Sequence, residues 1–355
     1  MAKMKMKKPE TTEACSRASS YVSRELLLKA ARVLEGAFSW VIFSHSKPDG
    51  DSIGSSSALF EAGLAQGKQV RWVGTDPVPL NFLFLPHVRE YEIQKKFEFD
   101  SKNDLYVFLD AANEERGVEG LKDRSREAVV LNIDHHEDNT GFGAINCVDA
   151  KASSTSELLW NIMTSANWPI TPSIAECLYT GIVTDSGWFS FDKTTPGTHL
   201  IAADLLAKGA DPSKIDSCLR HNRSLEGMRL WGLALLRIFR WGDSSQFAMT
   251  WLSRRDFDVA NATPHDTEAL VNHMLTIQGV RFAVLLTEND DAGQVKASFR
   301  SKSGTVPAAL VARALGGGGH SKAAGTNLDH PISDAIRIVQ ETVDKIYAKW
   351  ALADR

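Results

Sequence analysis

The stretches "LYVFLDA" (105–111) and "VVLNIDHH" (129–136) are apolar runs, and each apolar run stops at an aspartate. A strand with no polar alternation is buried on both faces, the pattern of a parallel sheet covered on both sides. Parallel strands need long crossover connections, so helices must intervene. Residues 20–190 supply them. "WVIFS" and "QVRWVG" are further strand patterns, and between them "SIGSSSALFEAGLAQG" reads as a helix with small residues in its first turns and Gly67 at its stop. "SSTSELLWNIM" carries Ser154-x-x-Glu157, a capping-box pattern, and "TPSIAECLYTGIVTDSG" opens on Thr171-Pro172, a cap followed by proline at the first helical position.

This alternation predicts an α/β protein with a mostly parallel sheet flanked by helices. The 355 residues exceed what one core usually organises, so a second domain is expected. The strand patterns "VRFAVLLTE" and "QVKASFRSK", the helix "VPAALVARAL" and a last amphipathic helix "ISDAIRIVQETVDKIYAKW" make that second domain a smaller α/β unit. The expected division is a tail over 1–20, a catalytic domain over 21–191, a helical linker over 192–235 and a substrate-binding domain over 236–350, with a cleft between the two domains.

Composition excludes several classes. No apolar run approaches the roughly 18–20 residues that span a membrane. The basic start "MAKMKMKKPETTEACSR" is followed by no apolar segment, so it reads as a disordered tail rather than a signal peptide. Cys15, Cys147, Cys177 and Cys218 form no C-x-x-C pair, which points to the cytoplasm rather than to a disulfide framework. The net charge of −4 argues against a grip on long nucleic acid, which needs a basic excess.

Acidic residues and histidines gather where apolar runs end. They are His45, Asp49 and Asp51 in "FSHSKPDGDSIGS", Asp110, Asp134-His135-His136, and Asp185. Residues just past the strands of a parallel sheet converge on one edge. Asp49, Asp51, Asp110 and Asp185 in one crevice repel one another, and two divalent cations neutralise them. His45 and His135 add neutral nitrogen ligands, and a sulfur-free mixed set suits Mn²⁺ or another transition ion. Two metals sharing a carboxylate form the usual clamp for phosphoryl hydrolysis, and Asp110 is the candidate shared ligand.

The order HSKPDGDSIGS, LDAAN, DHH, GIVTDSG and a distal GGGGH resembles the DHH phosphoesterase family with its DHH-associated C-terminal domain. The chain is especially similar to the bacterial nanoRNases, the bifunctional oligoribonuclease and PAP phosphatases, over about residues 25–350. The resemblance implies His45, Asp49 and Asp110 as ligands of one Mn²⁺, and Asp51, Asp110, His135 and Asp185 as ligands of a second. It implies that His136 orients or protonates a phosphate oxygen or leaving group, and that Asp134 orients a histidine.

In "QVKASFRSKSG", Val295, Ala297 and Phe299 share one face and Lys296, Ser298 and Arg300 the other. An edge strand with a solvated basic face is the plain reading. The glycines of "GGGGHSKAAG" let backbone N–H groups approach an anion, and His320 and Ser321 add donors. Arg300 with Gly317, Gly318, Gly319, His320 and Ser321 thus reads as a phosphate or nucleotide pocket, and the resemblance implies that it holds the substrate's terminal nucleotide. Asn113 and Arg116 in "DAANEERG" resemble a family stretch near the active site, which implies substrate contact.

The expected activity is hydrolysis of short RNA or DNA oligonucleotides, linear dinucleotides or 3′-phosphoadenosine 5′-phosphate (pAp) to mononucleotides, by a protein that works as a homodimer. Three alternatives stand beside it: a cyclic-dinucleotide phosphodiesterase, a RecJ-type single-strand exonuclease, and a nucleotide-binding regulatory protein without catalysis.

Overall fold

The structure is a computed structural model that describes residues 22–99, 104–125, 127–221, 223–288 and 293–353. The tail expected over 1–20 lies outside the described residues. The chain divides into two compact units between residues 222 and 223, inside the segment 192–235 expected as a linker.

The first unit is built on β1 (Ser39–Phe43), β2 (Gln69–Gly74), β3 (Tyr91–Ile93), β4 (Asp104–Leu109), β5 (Val129–Asp134) and β6 (Ile145–Val148). They form one sheet in the order β3-β2-β1-β4-β5-β6, with every pair parallel. The chain returns to the middle between β3 and β4, so the order reverses between β1 and β4. Leu105, Val107 and Leu109 of β4 point to a core shared with α1 (Arg24–Gly36), α2 (Gly50–Ala65), α3 (Thr155–Ser165), α4 (Pro172–Asp185), α5 (Pro196–Ala207) and α6 (Pro212–Arg220). Tyr106 and Phe108 point to the opposite face, where Phe43 stacks on Phe108 at 4.6 Å and Phe97, Phe99, Val118 and Leu121 from the connections close the layer. The unbroken apolar runs reflect this double burial.

Local signals hold with one correction. Thr171 caps α4 by accepting the Ile174 N–H at 3.1 Å. Ser154 caps α3 by accepting the Glu157 N–H at 3.0 Å, but Glu157 does not complete the capping box. Its buried carboxylate accepts instead from the Ser153 hydroxyl at 2.6 Å and the Thr198 hydroxyl at 3.0 Å, tying α3 to α5.

The small residues at the start of α2 allow a close helix pair. A Cβ on Gly54 would stand 2.5 Å from the Cys177 carbonyl of α4, and one on Gly50 would collide with Thr184. The contact brings the first turn of α2 against the last turn of α4.

The second unit carries α7 (Leu225–Leu236), β7 (Phe239–Trp241), β8 (Phe247–Leu252), α8 (Arg254–Ala260), α9 (Leu270–Met274), β9 (Phe282–Glu288), β10 (Val295–Ser301), α10 (Ala308–Ala314), β11 (Gly318–Gly319), β12 (Ala323–Leu328) and α11 (Ile332–Ala353). Its sheet has the order β11-β12-β10-β9-β8-β7, antiparallel except for β8 with β9. Val295, Ala297 and Phe299 are buried against α10 and α11, as their alternation predicts. The strand is not at the edge, however: β10 pairs with β9 on one side and β12 on the other. The opposite face packs on α7, α8 and α9 through Leu230, Trp231, Phe257, Leu270 and Met274.

Candidate active site

The acidic and imidazole side chains of the first unit sit at the carboxyl ends of β1, β4 and β5, where the strand order reverses. Open parallel sheets bind ligands at such a switch point. His45 follows β1. Asp49 is the N-cap of α2, accepting from the N–H groups of Asp51 at 3.2 Å and Ser52 at 3.1 Å. Asp110 follows β4 in the left-handed region, at φ 60°, with its N–H donating to Ile133 at 3.1 Å. That conformation costs an L-residue about 1–2 kcal/mol, least for Asp and Asn, and strain of this kind gathers at functional sites. Asp134 ends β5 and leads into His135 and His136, and Asp185 is the last residue of α4.

Asp110 is the centre of the cluster. Its Oδ2 lies 3.3 Å from His45 Nε2 and its Oδ1 lies 3.5 Å from His135 Nε2. His45 Nε2 is also 3.7 Å from Asp49 Oδ1, and His135 Nε2 is 3.1 Å from Asp185 Oδ2. Three ligand groups result: His45, Asp49 and Asp110; Asp51, His135 and Asp185; and Asp110, His135 and His136, each with ligand atoms within 4.8 Å of one another. The two buried histidines are oriented alike. His45 Nδ1 meets the Ser46 carbonyl at 2.8 Å and His135 Nδ1 the Ala152 carbonyl at 3.3 Å, which turns both Nε2 atoms inward. A ring nitrogen bonded to a backbone carbonyl with the other aimed at a metal is the ordinary arrangement of a histidine ligand. His45 Nε2 is buried and has no hydrogen-bond partner. That cost is removed by an ion, so the residues fit a divalent metal.

The electrostatics agree. Burial, then the charges of Asp110 and Asp185, pushes the Asp51 carboxyl well above the usual range. Burial pushes Asp185 up to about 6, with His135 partly offsetting it and Asp110 adding to it. Burial disfavours charge on Asp110 too, yet His135 and His45 hold it well below the usual carboxylate range. Burial likewise disfavours charge on His45, but Asp110 and Asp49 outweigh it and raise the imidazolium to about 10. His135 is raised to about 10 against its burial, chiefly by Asp110, then Asp185 and Asp51. Without a cation, the cluster holds protons that a metal would displace.

His136 is the more exposed histidine. Its Nδ1 meets Asp134 Oδ1 at 2.7 Å, and its Nε2 meets an Arg116 guanidinium nitrogen at 3.1 Å. Guanidinium only donates, so Nε2 accepts and the ring proton sits on Nδ1, toward Asp134. Burial opposes charge on Asp134, but His136 and then Asn139 hold its carboxyl below its ordinary value. Asn113 caps the turn that carries Arg116, its side-chain oxygen accepting from the N–H groups of Glu115 at 3.1 Å and Arg116 at 3.2 Å.

Sequence reasoning missed the first turn of α3. The N–H groups of Thr155 and Ser156 donate to Asp51 at 2.6 and 2.9 Å, and the Thr155 hydroxyl donates to Asp110 at 3.2 Å. The capping pattern marked that helix start, but nothing in it names the carboxylates it meets. Trp188 and Phe189, which follow α4, are already engaged: the Arg220 guanidinium lies 4.7 Å over the Trp188 ring, and Phe189 stacks on His199 at 4.8 Å.

In the second unit, Arg300 is half-buried, and burial pulls its guanidinium below its ordinary value. It stands opposite Ala323, whose carbonyl accepts the His320 N–H at 2.7 Å. Gly319 pairs with Ala324, so Arg300 and the Gly317–Ser321 turn share one end of this sheet. Gly319 has φ 135°, and a Cβ on Gly317 would strike the Gly325 carbonyl, so the turn demands glycine at both positions.

A parallel sheet with a carboxylate–imidazole cluster at its switch point defines a metal-dependent hydrolase of the α/β class. Residues 39–182 match the DHH family, N-terminal domain, and residues 251–349 match the DHHA1 domain. The chain is 33% identical over 303 residues, 85% of its length and 87% of the relative's, to the bifunctional oligoribonuclease and PAP phosphatase NrnA of Thermus thermophilus. The NrnA of Bacillus subtilis is 28% identical over 306 residues, 85% of this chain and 92% of that one. The crystal structure of an exopolyphosphatase-related protein from Bacteroides fragilis superposes with a TM-score of 0.83 at 26% identity, covering 92% of this chain and 98% of that one. The chain belongs to the DHH phosphoesterase family, whose members use divalent metal.

Proposed function

We propose that the protein is a Mn²⁺-dependent exonuclease that hydrolyses short oligonucleotides and linear dinucleotides to mononucleotides, and that it also takes the 3′-phosphate from pAp. The observation that carries this is the buried His45 Nε2, unpartnered and aimed at Asp110 and Asp49, in a chain whose curated relatives are named oligoribonuclease and PAP phosphatase. His45, Asp49 and Asp110 would hold one ion, and Asp51, Asp110, His135 and Asp185 the second. The mixed nitrogen and oxygen ligands favour Mn²⁺ over Ca²⁺ or Mg²⁺. Such a pair supplies Lewis-acid charge beside phosphorus and eases deprotonation of the attacking water.

The chain's own groups do the rest. Arg116, now bonded to His136, is the cation at hand for a non-bridging phosphate oxygen. When a phosphate draws Arg116 away, His136 Nε2 is free to take up a proton, Asp134 stabilises the imidazolium so formed, and the ring returns to neutral imidazole as it passes that proton to the leaving ribose oxygen. Arg300 and the Gly317–Ser321 turn, with His320, would hold the terminal nucleotide. Only a few phosphates then need cationic partners, which suits a chain of net charge −4. Cys147, Cys177 and Cys218 are free thiols, in keeping with a reducing cytoplasm.

The test is to supply the purified protein and Mn²⁺ with pAp, a dinucleotide, a five-nucleotide RNA, a long single strand and polyphosphate, beside a His135→Ala control. Mononucleotide release from the short substrates, lost in the control, supports the proposal. Turnover of the long strand alone, or of polyphosphate alone, overturns it.

A further inference from the structure

Thr155 touches both halves of the candidate metal cluster through two different atoms. Its backbone N–H donates to Asp51 Oδ2 at 2.6 Å, and its hydroxyl donates to Asp110 Oδ1 at 3.2 Å. The residue is fully buried and opens α3, so its position is fixed by the helix rather than by the cluster. The next N–H of that helix, from Ser156, takes the other oxygen of Asp51 at 2.9 Å. Two main-chain donors therefore orient Asp51, and no substitution at 155 other than proline removes them. Asp110 is different. Its backbone is in the left-handed region, and the Thr155 hydroxyl donates to Oδ1, beside His135 Nε2 at 3.5 Å, helping to fix the carboxylate's rotation so that Oδ2 faces His45 at 3.3 Å.

We propose that Thr155 is a positioning residue whose hydroxyl sets the Asp110 carboxylate to serve the His45–Asp49 ion, while its main chain independently sets Asp51 for the other. The inference rests on the two-metal reading above. Its consequence is asymmetric. Removing the hydroxyl leaves the second ion three of its four ligands, Asp51, His135 and Asp185, undisturbed, but leaves the first only His45 and Asp49 beside an Asp110 that has lost its hydroxyl donor. Hydrogen-bonding groups behind metal ligands are worth about 10–100-fold in metal affinity.

The experiment is calorimetric titration of the metal-free full chain with Mn²⁺, for wild type, Thr155→Val and Thr155→Ser, with thermal melts of each metal-free form. Valine matches threonine in shape, and serine restores the hydroxyl. We expect two ions in wild type, one less affected and one bound about 10–100-fold more weakly in Thr155→Val, and recovery in Thr155→Ser. Two ions bound by Thr155→Val as in wild type would overturn the inference, as would equal weakening of both or no rescue by serine. A wild type that binds no ion would instead remove the two-metal reading itself, so the two failures are distinct.

Discussion

His45 Nε2 lies 3.3 Å from Asp110 Oδ2 and forms no hydrogen bond with it, although both residues are buried. The ring is held by its other nitrogen, on the Ser46 carbonyl at 2.8 Å. An imidazole aimed at a carboxylate without bonding it leaves a place for a cation between them once the ring gives up its proton. His45→Ala should remove one of two bound ions and lower kcat by more than about 100-fold. Metal titration and steady-state kinetics check this, and full stoichiometry with full activity would refute it.

Metal binding should strengthen with pH. In the metal-free chain His45 and His135 are raised to about 10 and Asp185 to about 6. Each is raised above its unfolded value, so each contributes stability that is present at low pH and lost as pH rises through the folded value. A metal must displace those protons, so its affinity rises over the same window. The melting temperature gained from Mn²⁺ should therefore be larger at about pH 8.5 than at about pH 6. A gain that is flat or falling with pH contradicts the assignment.

At Gly181 the backbone of α4 passes close to Asp51. A Cβ there would strike the Ser156 hydroxyl and stand 2.6 Å from Asp51 Oδ1. Gly181→Ala should cost about 1–3 kcal/mol, as overpacking does, and weaken Mn²⁺ binding through Asp51. Gly36, at the end of α1, has nothing within 4 Å of its would-be Cβ, so Gly36→Ala is the neutral control. Denaturant unfolding with and without Mn²⁺ reads both.

Arg300 lies in the second unit, so its loss should spare the metals. Arg300→Ala should leave Mn²⁺ stoichiometry intact while lowering kcat/KM for a dinucleotide about 10–100-fold, the worth of one charged hydrogen-bonding partner. Kinetics beside metal titration separate the two effects.

What the sequence made legible follows from what local pattern encodes. Apolar runs ending at Asp110 and Asp134 marked two strand ends correctly, because double burial leaves the β4 run no polar residue until its end and the β5 run only Asn132, whose amide donates to the Ala111 carbonyl. Thr171-Pro172 marked a helix start for the same local reason. Contacts between distant segments were not legible. Thr155 and Asp51 are 104 residues apart, and no periodicity records their meeting. Glu157 matched a capping box by spacing, yet the hydroxyls of Ser153 and Thr198 compete for its carboxylate. The alternation in β10 told which face is buried, but not that β9 and β12 flank it.

The most direct test of the central claim is an anomalous difference map from a crystal of the protein grown with Mn²⁺. The account predicts two peaks about 3.5–4 Å apart, with Asp110 between them, one beside His45 and Asp49 and the other beside Asp51, His135 and Asp185. A single peak, or none within reach of Asp110, would contradict it.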